Sequence, residues 1–468
     1  MVAKKKELGL DRSGIQMTMK TKDYLADAGG QLGINLIANV VGQMTYFYTD
    51  KVGVAVAGIG IVLLISKIVD ALTDIWFGNV IEQSKGGNKK YYLWVKRMTI
   101  PFIVSTVLMF TVPMQFGQTM ALIYVLVSNI LLSAVCMTML GTPLAAIIVV
   151  RTNSQEERAK IGIFRAGFSY LSGMIAAIAT IPVTNLLGGD QIAWVKYASG
   201  IALISFILLA ICYVNGKNAV FSDGSKGGSS EEEEAPPFKE ALRALLANKY
   251  WVIVLLFNLI TQITNFLAGS SATYYSKWIL GDDNLVAVMG GAGVLATLAG
   301  FIVSNIIIRK LGVKKTIQMA TMTSAIAIAI RCFAPTNFIL FVGTSLISSF
   351  VQIPMMCLYG VLLSMAVDYN EYVTGKKMVA VASGAIGLGN KVGGGLASII
   401  ISICLAVGAY DASLTEATTS MRYAIYGLCN YIPIVMNLIV FLIISRFDLE
   451  EKLPDIQVEL AERREMNI

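Results

Sequence analysis

Long apolar stretches, separated by short polar or basic turns, recur along the whole chain. Each is long enough to cross the hydrocarbon core of a bilayer, which takes about 20 residues in a helix. The pattern predicts twelve membrane-spanning helices, which we place at 24–49, 53–81, 92–114, 119–150, 162–187, 193–214, 249–279, 284–308, 315–333, 336–366, 379–408 and 420–445. The fold class expected from this pattern is all-α and integral to a membrane, because a segment in lipid must satisfy its own backbone hydrogen bonds.

The composition agrees with that pattern. Of the 468 residues 56% are apolar and only 14% are charged, and the mean hydropathy is +0.68. An ordinary soluble protein carries about 25% charged residues. So much apolar surface cannot be hidden in one water-soluble core, so the excess is expected to face the lipid bilayer.

Basic residues alternate between the loops and orient the predicted helices. The two termini and every second loop hold 30 of the 37 Lys and Arg residues, the opposite loops hold five, and two lie within spans. By the positive-inside rule both termini are cytoplasmic, and the location expected for the protein is the cell membrane. The pI near 8.9 is explained by this topology, so we expect no nucleic-acid partner.

The segment 222–240 interrupts the apolar pattern. It is rich in Gly and Ser, then acidic through Glu231–Glu234, then contains prolines, as is typical of a flexible solvated linker. It separates six predicted helices from six others. The predicted organisation is a first six-helix half, a cytoplasmic linker, a second six-helix half and a cytoplasmic tail, at 1–215, 216–248, 249–446 and 447–468.

A faint repeat relates the two halves. NVIEQSKGGNKK (79–90) follows the second predicted helix, and NIIIRKLGVKK (305–315) follows the eighth. Each is an apolar helix end followed by a basic turn that contains glycine. Two six-helix halves joined by a cytoplasmic linker resemble the plan of the major facilitator superfamily, in which the substrate site lies near mid-membrane.

Two carboxylates lie inside the second predicted helix. Asp70 and Asp74 are four residues apart in SKIVDALTDIWFGN, so they lie on one helix face. Ionisable groups within a span are functional candidates by default. Two like charges so close in a poorly hydrated site repel each other unless a cation or proton neutralises them. The pair is predicted to receive Na⁺ or H⁺; the alternative is a solvated helix end.

Two lysines are candidate charge partners for the carboxylates. Lys391 lies in GLGNKVGGGLAS of the eleventh predicted helix, where glycines allow close helix approach. Its ammonium can occupy the place of a cation or pair with the aspartates. Lys67 precedes Asp70 by three residues. For both, the alternative is a lysine that reaches the membrane interface.

Polar side chains also line the first and seventh predicted helices. Amides repeat every fourth residue of the first helix, at Gln31, Asn35, Asn39 and Gln43. The seventh helix carries Asn258, Gln262 and Asn265, with Tyr274 further along. Amides donate and accept hydrogen bonds, as hydroxyl-rich ligands require, so these residues are candidate substrate ligands. Hydrogen bonding between helices is the alternative.

Arg165 opens the fifth predicted helix, in IGIFRAGF. A guanidinium binds a hydroxyl pair or a carboxylate bidentately, so Arg165 is a candidate substrate ligand. Equally, Arg165 could be one of the basic residues that mark the cytoplasmic side of the membrane.

The chain has no histidine, which excludes catalysis of the Ser-His-Asp and Cys-His types. With no metal cluster or nucleophile–base pair in the pattern, we expect neither an enzyme nor a cofactor.

Four motifs resemble those of the glycoside–pentoside–hexuronide:cation symporter family, to which melibiose permease belongs. They are YFYTDKVGV (46–54), DALTDIWFGNVIEQSKGGNKKYYLW (70–94), MAVDYNEYVTGKK (365–377) and GNKVGGGLAS (389–398). Each alone is weak, but they occur in the family's order over nearly the whole chain. The resemblance implies that Asp70 and Asp74 bind the coupling cation, with Thr138 as an oxygen ligand and Lys391 nearby. It also implies that Arg165 lies in the sugar region.

The chain departs from the melibiose permease pattern where the galactoside binds. That protein uses acidic residues of its first and fourth helices, but the matching stretches here, 33–35 and 138–143, contain no acid. The sugar-stacking tryptophan of its fourth helix is also absent, since 144–146 reads Leu-Ala-Ala. The substrate expected from the resemblance is therefore another glycoside, a pentoside or an anionic hexuronide.

The sequence thus predicts a cation-coupled symporter of a sugar derivative that works by alternating access as a monomer. The ion is Na⁺ or H⁺; if Na⁺, its ligands are Asp70 and Asp74. Two alternatives stay open. One is a cation-coupled carrier of another solute, such as a lipid or a drug, on the same helix plan. The other is a membrane sensor that keeps the fold and does not transport.

Overall fold

A computed structural model describes residues 8–10, 16–85, 87–152, 154–217, 238–375 and 379–466. The chain divides into two compact units, 1–230 and 231–468. The division falls within the predicted linker 216–248, of which residues 218–237, including Glu231–Glu234, lie outside the described residues.

Unit 1 consists mainly of six long helices, and all six predicted spans of this half fall on them. They are α1 (Thr21–Val41, Met44–Tyr46 and the π-helical Phe47–Val52), α2 (Val56–Gln83), α3 (Lys90–Met109), α4 (Gln118–Asn129, the π-helical Ile130–Met137 and Thr138–Arg151), α5 (Gln155–Leu186) and α6 (Gln191–Gly216). Small elements complete the unit: an antiparallel pair of strands, β1 (Leu8–Leu10) and β2 (Gln16–Met17), and the 3₁₀ turns Gly87–Lys89 and Met114–Phe116.

Unit 2 also contains six long helices at the predicted places. They are α7 (Lys249–Trp278), α8 (285–311), α9 (313–331), α10 (Phe338–Cys357 and Tyr359–Thr374), α11 (Val379–Val407) and α12 (Thr419–Tyr426, the π-helical Gly427–Tyr431 and Ile432–Ser445). A short amphipathic helix, Phe238–Ala247, precedes them, and the helix Leu449–Met466 follows them.

Local chemistry sets several helix boundaries. The side chain of Ser154 caps α5, and that of Asp190 caps α6 by accepting the amide of Ala193 at 2.8 Å. Gly53 ends α1 with a φ of 77°. Gly312, also with a φ of 77°, separates α8 from α9. Glycine tolerates this left-handed conformation because it has no Cβ.

The two units repeat the same helix packing. In unit 1, α1 packs against α5 and α6, while α4 packs against α2 and α3. In unit 2, α7 packs against α11 and α12, while α10 packs against the α8–α9 pair. The first helix of each unit therefore lies beside the fifth, and the second beside the fourth, as expected for two related halves.

Apolar side chains on the outer faces of these helices are exposed. On α2 they repeat every three or four residues, at Ile61, Ile65, Ile68, Leu72 and Trp76. Eight stretches of the described residues are long and apolar enough to cross a membrane, and one of them, Leu285–Arg331, contains both α8 and α9. Exposed apolar stripes of this kind suit contact with lipid rather than water. The protein is an all-α, multi-pass membrane protein.

Candidate functional site

Asp70 and Asp74, the two predicted carboxylates of α2, contact the hydroxyl of Thr138 on α4. Thr138 Oγ1 lies 2.6 Å from Asp74 Oδ1 and 3.2 Å from Asp70 Oδ1. Asp70 is buried, with 6% of its surface exposed, and Asp74 is half-buried. The structure therefore brings together the three residues that the sequence and the resemblance placed in the cation site.

The position of Thr138 depends on the local shape of α4. Thr138 follows directly on the π-helical segment Ile130–Met137, and π-helical turns occur often at functional sites. At the start of that segment, the buried Asn129 accepts a hydrogen bond from Ser66 at 2.5 Å. Ser66 is one helical turn before Asp70, so this bond fixes α4 against α2 beside the carboxylates.

The chemistry of the cluster suits a hard monovalent cation or a proton. Its donors are all oxygens, which alkali and alkaline-earth cations prefer over nitrogen or sulfur. The hydroxyl has one proton, so it can donate to only one carboxylate at a time. Nowhere in the described parts of the chain do three or more Cys, Asp or Glu side chains gather to hold a metal ion. The cluster thus differs from a transition-metal or structural zinc site.

The two predicted lysines lie on different units. Lys67 is half-buried on α2, three residues before Asp70, and Lys391 is half-buried on α11. Their role as charge partners of the carboxylates stays a prediction.

The corresponding place in unit 2 cannot hold a second carboxylate pair. The repeat that aligns Asn79 with Asn305 also aligns Asp70 with Ala296 and Asp74 with Gly300. A Cβ added to Gly300 would lie 2.9 Å from Cβ of Ile353. Beside it, six apolar residues line a cavity of about 390 Å³: Ala292, Leu295, Ala296, Leu346, Ile347 and Phe350. The carboxylate pair of α2 therefore has no counterpart at the aligned place on α8.

The amide stripe of α1 faces serines of α5. Asn35 donates to Ser169 Oγ at 2.7 Å, and Asn39 donates to Ser172 Oγ at 3.1 Å. Gln31 donates to Asn35 Oδ1 at 3.1 Å. Both asparagines remain half-buried. Hydrogen bonds between helices thus use part of the stripe, and its role in binding substrate stays a prediction.

The polar residues of α7 are spread over different environments. Asn258 is buried and donates to Asn390 of α11 at 2.5 Å. Gln262 is half-buried and Asn265 is exposed. Tyr274 is fully buried with its ring 5.5 Å from that of Tyr410, edge to face. The role of these four residues as substrate ligands also stays a prediction.

The glycine run of α11 lets it approach α7 closely. A Cβ added to Gly393 would lie 3.1 Å from Cβ of Gln262 and 3.3 Å from the carbonyl oxygen of Leu259. The close approach places Asn390 against Asn258. The glycine run is visible in the sequence, but nothing in the sequence indicates that α7 is the helix that packs against it.

Arg165 has a partner that the sequence analysis missed. Its guanidinium forms a bidentate pair with Asp27 of α1, with N–O distances of 2.6 and 2.7 Å. A third hydrogen bond reaches the carbonyl oxygen of Leu144 at 2.8 Å. Asp27 is an acidic residue inside an apolar, glycine-rich stretch, which is the signal that could have identified it. Whether Arg165 also contacts substrate stays a prediction.

Sequence comparison gives the family of this multi-pass membrane protein. The profile of the MFS/sugar transport protein family matches residues 28–451. The chain belongs to this family, whose members are transporters. This confirms the expected fold, the expected resemblance and the prediction that the chain is not an enzyme.

Individual proteins are similar over most of their length. The isoprimeverose transporter of Lactiplantibacillus pentosus is 25% identical over 88% of this chain and 84% of its own. The inner membrane symporter YicJ of Escherichia coli strain K12 is 26% identical over 87% of each chain.

Solved structures share the fold. A bacterial homolog of the human lysosomal transporter Spinster superimposes with a TM-score of 0.67 and 12% identity, over 93% of this chain and 99% of its own. The nucleoside transporter NupG superimposes with a TM-score of 0.61 and 11% identity, over 92% of this chain and 100% of its own. At these identities the likeness concerns the fold alone.

Proposed function

We propose that this protein is a cation-coupled symporter of a sugar derivative. The observation that carries the proposal is the Thr138 hydroxyl, which lies within hydrogen-bond distance of both Asp70 and Asp74. A cation or proton between the two carboxylates removes their repulsion. Binding there favours one arrangement of α2 and α4, because the ligands come from both helices.

Coupling requires only that each ligand bind better when the other is present. Typical coupling free energies are about 1–3 kcal/mol, and the effect is reciprocal for the two ligands. In the proposed cycle the cation enters first and stabilises the arrangement of helices that binds substrate. Alternating access then carries both across the membrane. We expect one cation, Na⁺ or H⁺, to bind at Asp70 and Asp74 for each substrate molecule transported.

The substrate class is supported by the comparisons and by the side chains of unit 1. The family is one of sugar transport, and one relative is named an isoprimeverose transporter. The half-buried amides of Asn35 and Asn39 can donate hydrogen bonds to sugar hydroxyl groups and accept hydrogen bonds from them. The charge of Arg165 is balanced by Asp27, which favours an uncharged glycoside or pentoside over an anionic hexuronide. We further propose a monomer in the cell membrane with both termini in the cytoplasm.

The test is uptake into proteoliposomes that contain the purified full chain. Labelled isoprimeverose, a simple pentoside and a hexuronide are each supplied under an inward Na⁺ gradient or an inward proton gradient. Wild type is compared with Asp70→Asn, Asp74→Asn and a control, Asp411→Asn, whose carboxylate is exposed outside the membrane helices. We expect both site variants to lose accumulation against a gradient and the control to retain it.

The same assay distinguishes the alternatives. Accumulation by both site variants at the wild-type level would contradict the cation assignment. If no sugar of the panel enters under either gradient, the sugar assignment is wrong and another solute class must be tried. Sugar binding to the purified protein without accumulation in vesicles would favour the sensor.

A further inference from the structure

A buried ion pair joins α1 to α5 in unit 1. Asp27 and Arg165 have 5% and 8% of their surface exposed, and two parallel hydrogen bonds hold the carboxylate against the guanidinium. Such a pair is costly to desolvate, and apolar residues of similar volume often replace one without loss of stability. Stability alone is therefore a weak explanation for it.

The pair also contacts the helix that carries the cation ligand. Arg165 donates to the carbonyl oxygen of Leu144 at 2.8 Å. Leu144 is fully buried on α4, six residues after Thr138. At about 1.5 Å per residue, this places it roughly 9 Å along the helix from the cation ligand. A shift of α4 along its axis would therefore change the contact with Arg165.

The same two helices carry the polar pairs that line their shared face. Asn35 lies about two turns after Asp27 on α1, and Ser169 lies one turn after Arg165 on α5. These two residues are joined at 2.7 Å. A movement imposed on Arg165 and Asp27 thus reaches Asn35 and Ser169 through rigid helix segments.

We propose that Asp27 and Arg165 are positioning residues that transmit cation occupancy from α4 to α1 and α5. The inference rests on the proposed cation site. A cation held by Asp70, Asp74 and Thr138 fixes α4. The Leu144 carbonyl then holds the guanidinium of Arg165, and the bidentate bond to Asp27 sets the spacing of α1 and α5.

The inference is tested by hydrogen–deuterium exchange of the purified full chain. Exchange rates in NaCl are compared with those in choline chloride. The peptides followed come from α4, α1 and α5. In wild type we expect Na⁺ to slow exchange in all three helices, by about fivefold or more, which is the lower end of ordinary coupling between sites. If Na⁺ leaves α4 unchanged, the Asp70→Asn/Asp74→Asn double variant, which mimics protonated carboxylates, replaces the Na⁺ sample.

The decisive variant is the double substitution Asp27→Leu/Arg165→Met, which removes both charges and leaves no unpaired ion. We expect α4 to keep its response and α1 and α5 to lose theirs. Should the double variant fail to fold, Arg165→Lys serves instead, because an ammonium keeps the charge but lacks the planar fork that reaches Asp27 and Leu144 together.

The matched control is Asp23→Asn, which weakens a neighbouring contact between α1 and α4, the pair Asp23–Arg151 at 3.7 Å. We expect this variant to respond as wild type does. A full response of α1 and α5 in the Asp27→Leu/Arg165→Met protein would overturn the inference and leave the cation site intact. If exchange in α4 changes neither with Na⁺ in wild type nor in the Asp70→Asn/Asp74→Asn variant, the proposed cation site is wrong and the inference fails with it.

Discussion

The hydroxyl of Thr138 donates a hydrogen bond of 2.6 Å to the carboxylate of Asp74. This contact joins α4 to α2 at the proposed cation site. Valine has nearly the shape of threonine but offers no oxygen. We expect Thr138→Val to weaken Na⁺ binding by about tenfold, equivalent to about 1.4 kcal/mol, because the ion loses one of its oxygen ligands. The measurement is the cation concentration that gives half-maximal uptake.

Thr138→Ser is the control for this prediction, because it keeps the hydroxyl and loses only a methyl group. We expect its half-maximal cation concentration to stay close to that of wild type. Loss in the serine variant with none in the valine variant would mean that packing of the methyl group, rather than the oxygen, matters at this position.

The bond between Asn35 and Ser169 allows the two interpretations of the amide stripe to be separated. If the amide serves mainly to join α1 to α5, Asn35→Ala and Ser169→Ala should lower stability similarly. The double variant should then be less destabilised than the sum, with a coupling energy of about 1 kcal/mol. Thermal unfolding of the four proteins measures this.

Substrate affinity gives the second readout of the same cycle. A substrate ligand at Asn35 would raise the KM for sugar in Asn35→Ala far more than in Ser169→Ala. A similar KM in both single variants, together with strong coupling in stability, would assign the asparagine to helix packing.

Asp70 and Asp74 could be recognised from the sequence because both lie in one helix. Two carboxylates four residues apart in an apolar run show a shared face without any knowledge of neighbouring helices. The twelve spans were predictable for a similar reason, since length and hydropathy are local properties. The boundaries of the helices were less predictable. For example, α10 continues to Thr374, well past the predicted end at 366, because a helix does not have to stop where the apolar pattern ends.

Contacts between helices were not predictable in the same way. Asp27 and Arg165 are 138 residues apart, and nothing in either segment indicates the other. Thr138 was assigned through the family resemblance, because one threonine among many in the spans carries no signal of its own. The serines that accept hydrogen bonds from Asn35 and Asn39 likewise carry no distinguishing signal in the sequence. They become partners only because α1 packs on α5.

Gly300 of α8 is packed closely enough that its lack of a side chain matters. An added Cβ would lie 2.9 Å from Ile353 Cβ and 3.0 Å from the carbonyl oxygen of Phe350. We expect Gly300→Ala to lower the free energy of unfolding by about 1–3 kcal/mol, the usual cost of overpacking. Gly293 on the same helix has its nearest neighbour, Ser349 Oγ, at 4.0 Å. Gly293→Ala should therefore leave the thermal unfolding temperature unchanged or raise it, and equal losses in both variants would contradict this account.

Glu157 holds the segment that precedes α1. Its carboxylate is fully buried and accepts the backbone amides of Thr18 and Met19 at 2.8 and 2.7 Å, with a further hydrogen bond from Thr152. We expect Glu157→Ala to lower the free energy of unfolding by about 2 kcal/mol or more, because buried backbone amides lose their hydrogen-bond acceptor. Faster hydrogen exchange at 16–20 would report the release. Glu157→Gln keeps one acceptor oxygen and should show a smaller effect; unchanged exchange in Glu157→Ala would contradict the assignment.

Glu450 caps the start of α9 from the helix that follows α12. Its two carboxylate oxygens accept the amides of Val313 and Lys314 at 2.7 and 2.9 Å. These amides have no partner within α9, and a negative charge is favourable at a helix N-terminus. We expect Glu450→Ala to lower stability by about 1 kcal/mol, seen as a lower thermal unfolding temperature and faster exchange at 313–316. The neighbouring Glu451 is exposed, so Glu451→Ala should change neither quantity. If the two variants behave alike, the helix Leu449–Met466 is held in place by its apolar contacts, such as the buried Leu449, rather than by this cap.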